Sequence, residues 1–201
     1  FGEKGAFLRV ELTANIRKSE TDDLVKSETN VYGSNPDQII RDQYSDGTSN
    51  RTEIGSEVTY RFPLMPKLLF LDLGYEYSNI NTKTKRNTFN FDLNTNDYTE
   101  FSNLLSTDFE YLDNVKKPQA KLEFRNKKWS TSAQVAYVNR TLQNKDYLRP
   151  QTNLEREFNN LEYGVNLRYR KDRTSSYRFR YNFRNSTPSL SQLQPFRDES
   201  N

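Results

Sequence analysis

The stretch Tyr177-Arg178-Phe179-Arg180-Tyr181-Asn182-Phe183 sets a large aromatic at every odd position and Arg or Asn at every even one. An extended strand throws successive side chains to opposite faces, so one face of this stretch is wholly aromatic and the other wholly polar. A soluble sandwich strand can show that pattern once. Repeated along a chain with the right connection lengths, it describes a wall between an apolar medium and a watery interior.

The pattern does repeat. Ala6, Leu8, Val10, Leu12, Ala14 and Ile16 alternate with Phe7, Arg9, Glu11, Thr13, Asn15 and Arg17. Ile54, Val58, Tyr60 and Phe62 oppose Glu53, Glu57, Thr59 and Arg61. Leu69, Leu71, Leu73, Tyr75 and Tyr77 oppose Phe70, Asp72, Gly74, Glu76 and Ser78. Ala120, Leu122 and Phe124 flank Lys121 and Glu123, and Trp129 to Tyr137 carries Val135 outward against Ser130, Ser132 and Gln134. Leu161 to Tyr169 puts Tyr163, Val165 and Leu167 opposite Asn160, Glu162, Gly164, Asn166 and Arg168. With Tyr177–Phe183 this makes seven expected strands.

The connections alternate in length. Polar segments at about residues 18–51, 80–113 and 143–158 read as long loops, whereas Pro63-Leu-Met-Pro66, Asn126-Lys127-Lys128 and Lys171-Asp172-Arg173-Thr174 read as tight turns. Short turns on one side and long loops on the other are the rule for outer-membrane barrels. The aromatics Phe89, Phe91, Tyr98, Phe101, Phe109 and Tyr111 within 80–113 predict hairpins there. Trp129, Tyr169 and Tyr177 fall beside short turns, and Tyr77 and Tyr137 end their strands at the opposite rim, as two aromatic girdles would.

Bulk properties agree. Hydrophobic residues make up 33% and mean hydropathy is −1.02, low for a packed core, while 13 Tyr and 13 Phe argue against disorder. No run reaches the ~18 apolar residues of a membrane helix, which leaves barrel strands open. The absence of Cys and His removes disulfides, thiolate or imidazole metal sites and His-based catalysis. With 30 basic and 27 acidic residues there is no global case for nucleic acid. The expected fold class is therefore all-β: a segment of an antiparallel transmembrane β-barrel of about seven strands. Seven cannot close an antiparallel sheet, so the segment is expected to belong to a larger barrel, all 201 residues lying in one barrel domain.

The stretch Asn185 to Asn201, above all Ser189-Leu190-Ser191-Gln192-Leu193-Gln194-Pro195, resembles a segment of large, 22-stranded TonB-dependent outer-membrane receptors, the SusC-like kind included. Lys127-Lys128-Trp129-Ser130 and Pro66-Lys67-Leu68 running into Leu71-Asp72-Leu73-Gly74-Tyr75 are similar to the same family. The resemblance implies a segment from the C-terminal half of the barrel, with the plug, the TonB-contact box and the closing strands outside these residues. It implies ligand or nutrient import across a Gram-negative outer membrane, long loops extracellular, with outer-membrane lipid, the TonB system and surface lipoproteins or other envelope subunits as partners. A non-transporting barrel subunit or docking platform is the alternative, and a soluble all-β module, whose aromatic faces would pack on a second sheet, a third.

Lumen-facing candidates are Arg9, Glu11, Arg17, Glu53, Glu57, Arg61, Asp72, Glu76, Arg168, Arg178 and Arg180. They would contact substrate or plug through charge-assisted hydrogen bonds, or simply pair with opposite charges on neighbouring strands. Lipid-facing or girdle positions are Leu71, Tyr75, Trp129, Val135, Tyr137, Tyr163, Tyr169, Tyr177, Phe179 and Tyr181. Asp42, Asp46 and Glu53 nearly fit a calcium loop, with Tyr44 where Asp or Asn belongs, and a loop turning into a strand explains them as well. Loop aromatics Tyr32, Tyr44, Phe89, Tyr98, Phe101 and Tyr147 would stack on sugars, anchor a partner or fold the loops together. No carboxylate pair converges as a hydrolase needs, and no motif calls for a cofactor.

Overall fold

The computed structural model describes residues 5–32 and 37–185. The stretch Ser189–Pro195 lies outside them. The described residues form one antiparallel sheet, curled into a half-barrel. Its strands are β1 (Phe7–Val31), β2 (Asp37–Met65), β3 (Leu69–Asp92), β4 (Asp97–Phe101), β5 (Thr107–Arg125), β6 (Trp129–Asp146), β7 (Leu154–Arg170) and β8 (Ser176–Phe183). The path runs β1-β2-β3-β5-β6-β7-β8, each strand beside its neighbour in the chain, with short β4 paired to the tip of β3. A 3₁₀ turn, Pro150–Thr152, joins β6 to β7.

The three polar segments are not long loops. β1 and β2 pair continuously from Phe7↔Arg61 to Val31↔Asp37, so residues 18–51 are chiefly the upper half of a hairpin. Residues 80–113 hold the end of β3, all of β4 and the start of β5. Residues 143–158 hold the end of β6, the 3₁₀ turn and the start of β7. The strand expected from Ala120 starts at Thr107.

Each short turn has a local cause. Leu68 N–H donates to the Met65 carbonyl at 3.0 Å across Lys67, whose φ of 65° closes the reversal. Asn126 Oδ1 accepts from the N–H groups of Lys128 (2.9 Å) and Trp129 (2.7 Å), a side chain standing in for a turn carbonyl. Asp172 does the same for Thr174 (2.9 Å) and Ser175 (2.7 Å), and these bonds hold its carboxyl below the usual carboxylate range.

The register sorts side chains cleanly. Leu71 lies between Phe62 and Leu122, Tyr75 faces Val58, Val135 faces Tyr163, and Leu167 faces Phe179, all on one surface. Arg9 with Thr59, Glu57 with Glu76, Arg61 with Asp72, and Arg168 with Arg178 fall on the other. The polar surface is the concave one. Side chains there reach over an intervening strand, Arg61 of β2 to Glu123 of β5 at 3.2 Å and Lys117 of β5 to Glu162 of β7 at 3.0 Å. Backbones two strands apart are ~9.6 Å from each other, so curling brings these groups together.

A hydrophobic core is nearly absent. Among the described residues the buried apolar side chains are Ala136, Val138 and Leu142, all on the concave face of β6. The convex face is bare: Leu12 is 80% and Ile16 79% exposed, with Val135, Tyr163 and Phe179 uncovered as well. No second sheet lies over them among the described residues.

Candidate functional site

Two surfaces carry the chemistry of the chain: the convex apolar belt and the concave charged face. On β6 the outward residues run from Trp129 through Val135 to Tyr137, then change to Asn139, Thr141, Gln143 and Lys145. On the same strand the inward residues change from Ser130, Ser132 and Gln134 to Val138 and Leu142. The apolar parity inverts in mid-strand while pairing to β7 runs on unbroken; on the β5 side the ladder skips Tyr137 and Val138, where Pro118 has no N–H to give.

β7 inverts between inward Phe158 and outward Leu161, and β5 between inward Val115 and outward Ala120, Leu112 being the outward exception beyond it. β3 leaves its outward run at Tyr77, and Ile80 then points inward. β1 and β2 end their outward apolar runs at Ile16 and Ile54 and are mostly polar on both faces beyond. These positions are neighbours in register: Tyr77 pairs with Lys116, Lys116 with Asn139, and Tyr137 with Leu161.

Aromatic residues mark both margins. At the lower one Trp129 packs on Tyr169 at 4.7 Å, and Tyr169 faces Tyr177 across the β7–β8 pair. At the upper one Asn114 Nδ2 donates to the Tyr77 hydroxyl at 2.9 Å, and the Tyr137 hydroxyl donates to Asn159 at 2.9 Å. Each ring lies with the belt while its hydroxyl bonds a polar residue just above, the amphipathic placement that suits tyrosine. Between the margins Tyr163 stacks on Phe183 at 5.0 Å and lies 6.2 Å from Tyr181.

On the concave face Arg61 is the centre of a network. Its Nε and Nη2 donate to the two oxygens of Asp72, each at 2.6 Å, and Nη2 also reaches Glu123. Asp72 and Glu123 are 8% and 7% exposed, so neither charge survives there without partners. Glu123 is further held by Arg125 (2.6 Å) and Lys121 (3.1 Å), and Arg61 lies over the rings of Phe7 and Phe70. Arg9 reaches Glu57 at 3.3 Å and Glu11 at 3.6 Å, while Gln119 donates to Glu57 at 3.4 Å. Glu76 stands between Glu57 and Lys117 in register. Higher up Arg17 faces Arg51, which contacts Glu53 at 3.6 Å. Arg168 faces Arg178, and Arg180 faces Asn166, with no acid in either pair.

Several important members were not singled out from sequence. Glu123 and Lys121 carried a signal, since they oppose the apolar parity of their strand. Lys117, Asp113 and Arg140 lay in or beside segments read as loop. Arg140 Nε donates to Asp113 at 2.8 Å, and Asp113 is 4% exposed.

Asp42, Asp46 and Glu53 are not brought together. All three lie on the extended β2, Asp42 and Asp46 on its convex side and Glu53 on its concave side. Asp42 accepts from Tyr98 and Asp46 from Asn87. The described residues hold no cluster of three or more acidic side chains placed to grip a metal ion.

Several of the supposed loop aromatics pack on one another. Phe89 meets Phe101 at 5.7 Å, and Tyr98 meets Phe91 at 5.2 Å and Tyr44 at 6.1 Å. Tyr98 donates to Asp42 at 2.6 Å, which holds the Asp42 carboxyl low and the Tyr98 phenol high; Lys26, held high by Tyr98 and Asp42, sits beside both. The Tyr147 hydroxyl donates to Glu110 at 2.9 Å, and Tyr32 is 88% exposed.

No protein-family model matches the chain, and no curated protein matches it.

Proposed function

We propose that this half-barrel is part of the wall of a Gram-negative outer-membrane β-barrel of the TonB-dependent receptor kind, importing a ligand. The mid-strand inversion of apolar parity carries the reading. Where the convex side meets hydrocarbon, apolar residues face out and charges face the lumen; where it meets water, apolar residues gain nothing outside, and on β5, β6 and β7 they turn mostly inward. From Trp129 to Tyr137 the belt spans ~27 Å along the strand, or ~21 Å along the membrane normal at a tilt of ~40°, close to the ~25 Å apolar band of known barrels. Exposed residues such as Leu12 and Ile16 then touch acyl chains. In water they would form a patch far larger than soluble monomers tolerate.

The short turns then lie on the periplasmic side and the long strand tips at the cell surface. The open edges of β1 and β8 pair with further strands, since hydrocarbon does not accept an unpaired edge. The concave face lines the lumen around a plug, and energy comes through that plug from the inner-membrane partner. A second reading, a barrel acting as a docking platform for a surface lipoprotein or another envelope subunit, is favoured by the extension of β1, β2 and β3 far past the belt and by the aromatic cluster at their tips.

The test has two stages. The full-length protein should need detergent for extraction, and release by alkaline wash alone would sink both barrel readings. A deletion strain should then lose uptake of one nutrient. Unchanged uptake across a nutrient panel, with a surface lipoprotein still co-purifying with the barrel, would replace import by docking.

A further inference from the structure

Charge on the concave face is answered over most of its area. Arg61 has Asp72 and Glu123, Arg9 has Glu57, Lys117 has Glu162, and Arg140 has Asp113. The balance fails at the end of the sheet where the turns at residues 126–128 and 171–175 lie side by side. The Arg170 N–H donates to the Lys128 carbonyl at 2.7 Å, tying β7 to the β5–β6 turn. Beside the first of these turns is a hollow lined by Arg125, Lys127, Lys128, Ser130, Arg168 and Arg170 and by no carboxylate; the adjoining hollow that reaches the second turn includes Asp172.

The acids nearest in sequence are already engaged. Glu123 reaches Arg125 at 2.6 Å but also serves Arg61 and Lys121. Asp172 Oδ1 accepts the N–H groups of Thr174 and Ser175 and the Thr174 hydroxyl, all inside its own turn. Arg168 has a buried Nε with no hydrogen-bond partner, and it faces Arg178 across the β7–β8 pair. Like charges set opposite one another on a sheet face destabilise it, and a buried unmet donor adds to that cost. An anion in the hollow would answer the uncompensated charge of the Arg168 guanidinium.

We propose that this hollow is a binding site for a phosphate-type oxyanion. Guanidinium groups offer paired N–H donors at the spacing of two phosphate oxygens, and the lysines of the turn add point charge from flexible stems. The Ser130 hydroxyl supplies a further donor. The site does not depend on the membrane reading. If that reading holds, the hollow opens on the lumen side at the rim of the sheet with Trp129 of the belt margin at its edge, so a soluble anion reaches it directly and a phospholipid headgroup phosphate only around the turn at residues 126–128.

The experiment is isothermal titration calorimetry of the full-length protein in an uncharged detergent, with two probes: inorganic phosphate and short-chain phosphatidylglycerol. At least one should bind, more weakly as salt rises from about 0.05 to 0.5 M. Heat with inorganic phosphate assigns a soluble anion, and heat with phosphatidylglycerol alone assigns a headgroup. Arg168→Gln should weaken binding about tenfold or more, as loss of a charge-assisted hydrogen bond does. The paired change Lys127→Gln with Lys128→Gln, two exposed side chains in a turn whose bonds come from Asn126 and the backbone, should weaken it similarly and decides the matter if Arg168→Gln does not fold. The proposal is overturned if neither probe binds, or if the lysine pair leaves affinity within about twofold of the parent.

Discussion

Ala133→Arg is the sharpest probe of what touches the convex face. Ala133 sits midway between Trp129 and Tyr137, between Leu122 and Val165 in register, with its outward side uncovered. Against hydrocarbon at mid-belt an arginine costs about 2–4 kcal/mol, falling to about 0–1 kcal/mol near the interface. On a water-exposed sheet face the same change stays within about 0.5 kcal/mol. The control is Gln143→Arg, on the same strand and the same face. It lies ~34 Å further along β6, or ~26 Å along the normal at a tilt of ~40°, well past Tyr137. Gln143 already bonds Glu155 at 3.1 Å, a partner that arginine keeps, so its cost should be near zero. Guanidinium unfolding of the full-length protein in phosphatidylcholine vesicles, read as the shift between folded and unfolded gel mobility, gives both values. A gap of about 2 kcal/mol or more is expected. Two costs within about 0.5 kcal/mol of each other would mean that no apolar medium meets the convex face, and the barrel reading would fail.

Two further outcomes follow from the charged groups. Asp72→Asn leaves Arg61, its side chain only 19% exposed, with the more distant Glu123 as its one ionic partner and an NH2 group where it donated to Oδ2, and should cost about 3 kcal/mol; replacing both partners, Arg61→Met with Asp72→Leu, should recover to within about 1 kcal/mol. A loss under about 1 kcal/mol for the single change, in the same titration, would mean that lumen water screens the pair. At the strand tips the Tyr98–Asp42 bond makes docking of β4 pH-dependent at both ends. The Asp42 pKa is lowered on folding, so its contribution is present above the ordinary carboxylate value of 3.8 and fades as pH falls below it; the Tyr98 pKa is raised, so its contribution is present below the ordinary phenol value of 10.0 and fades above it. Near-UV circular dichroism should show a plateau between those limits, with the steps at both ends flattened by Tyr98→Phe; unchanged steps would assign them to other groups.

How much of this was legible depended on what the outer surface faces. On the proposed barrel reading the two sides of each strand within the belt see different media, so residues such as Leu71 against Asp72, or Tyr163 against Glu162, sort by parity, and a period of two is visible in the chain alone. Past Tyr77 and Tyr137 that contrast is lost. Asn139, Thr141 and Gln143 are polar on the convex face, Arg140 sits on the concave face beside Val138 and Leu142, and the stretch reads as polar sequence although pairing continues to Asp146. Loop assignments failed there for the same reason: low hydropathy in a strand with both faces wet is indistinguishable by composition from a loop. One signal did survive, and it is local. On β6 the apolar residues move from odd to even positions between Tyr137 and Val138 without an intervening Gly or Pro, and on β7 they move back between Phe158 and Leu161. A true loop has no reason to resume alternation in the opposite phase next to the strand it follows; a continuous strand crossing from one medium to another does. Cross-strand pairings such as Arg61 with Glu123, which reach over β3, lay beyond any such pattern, because they depend on the curl of the sheet.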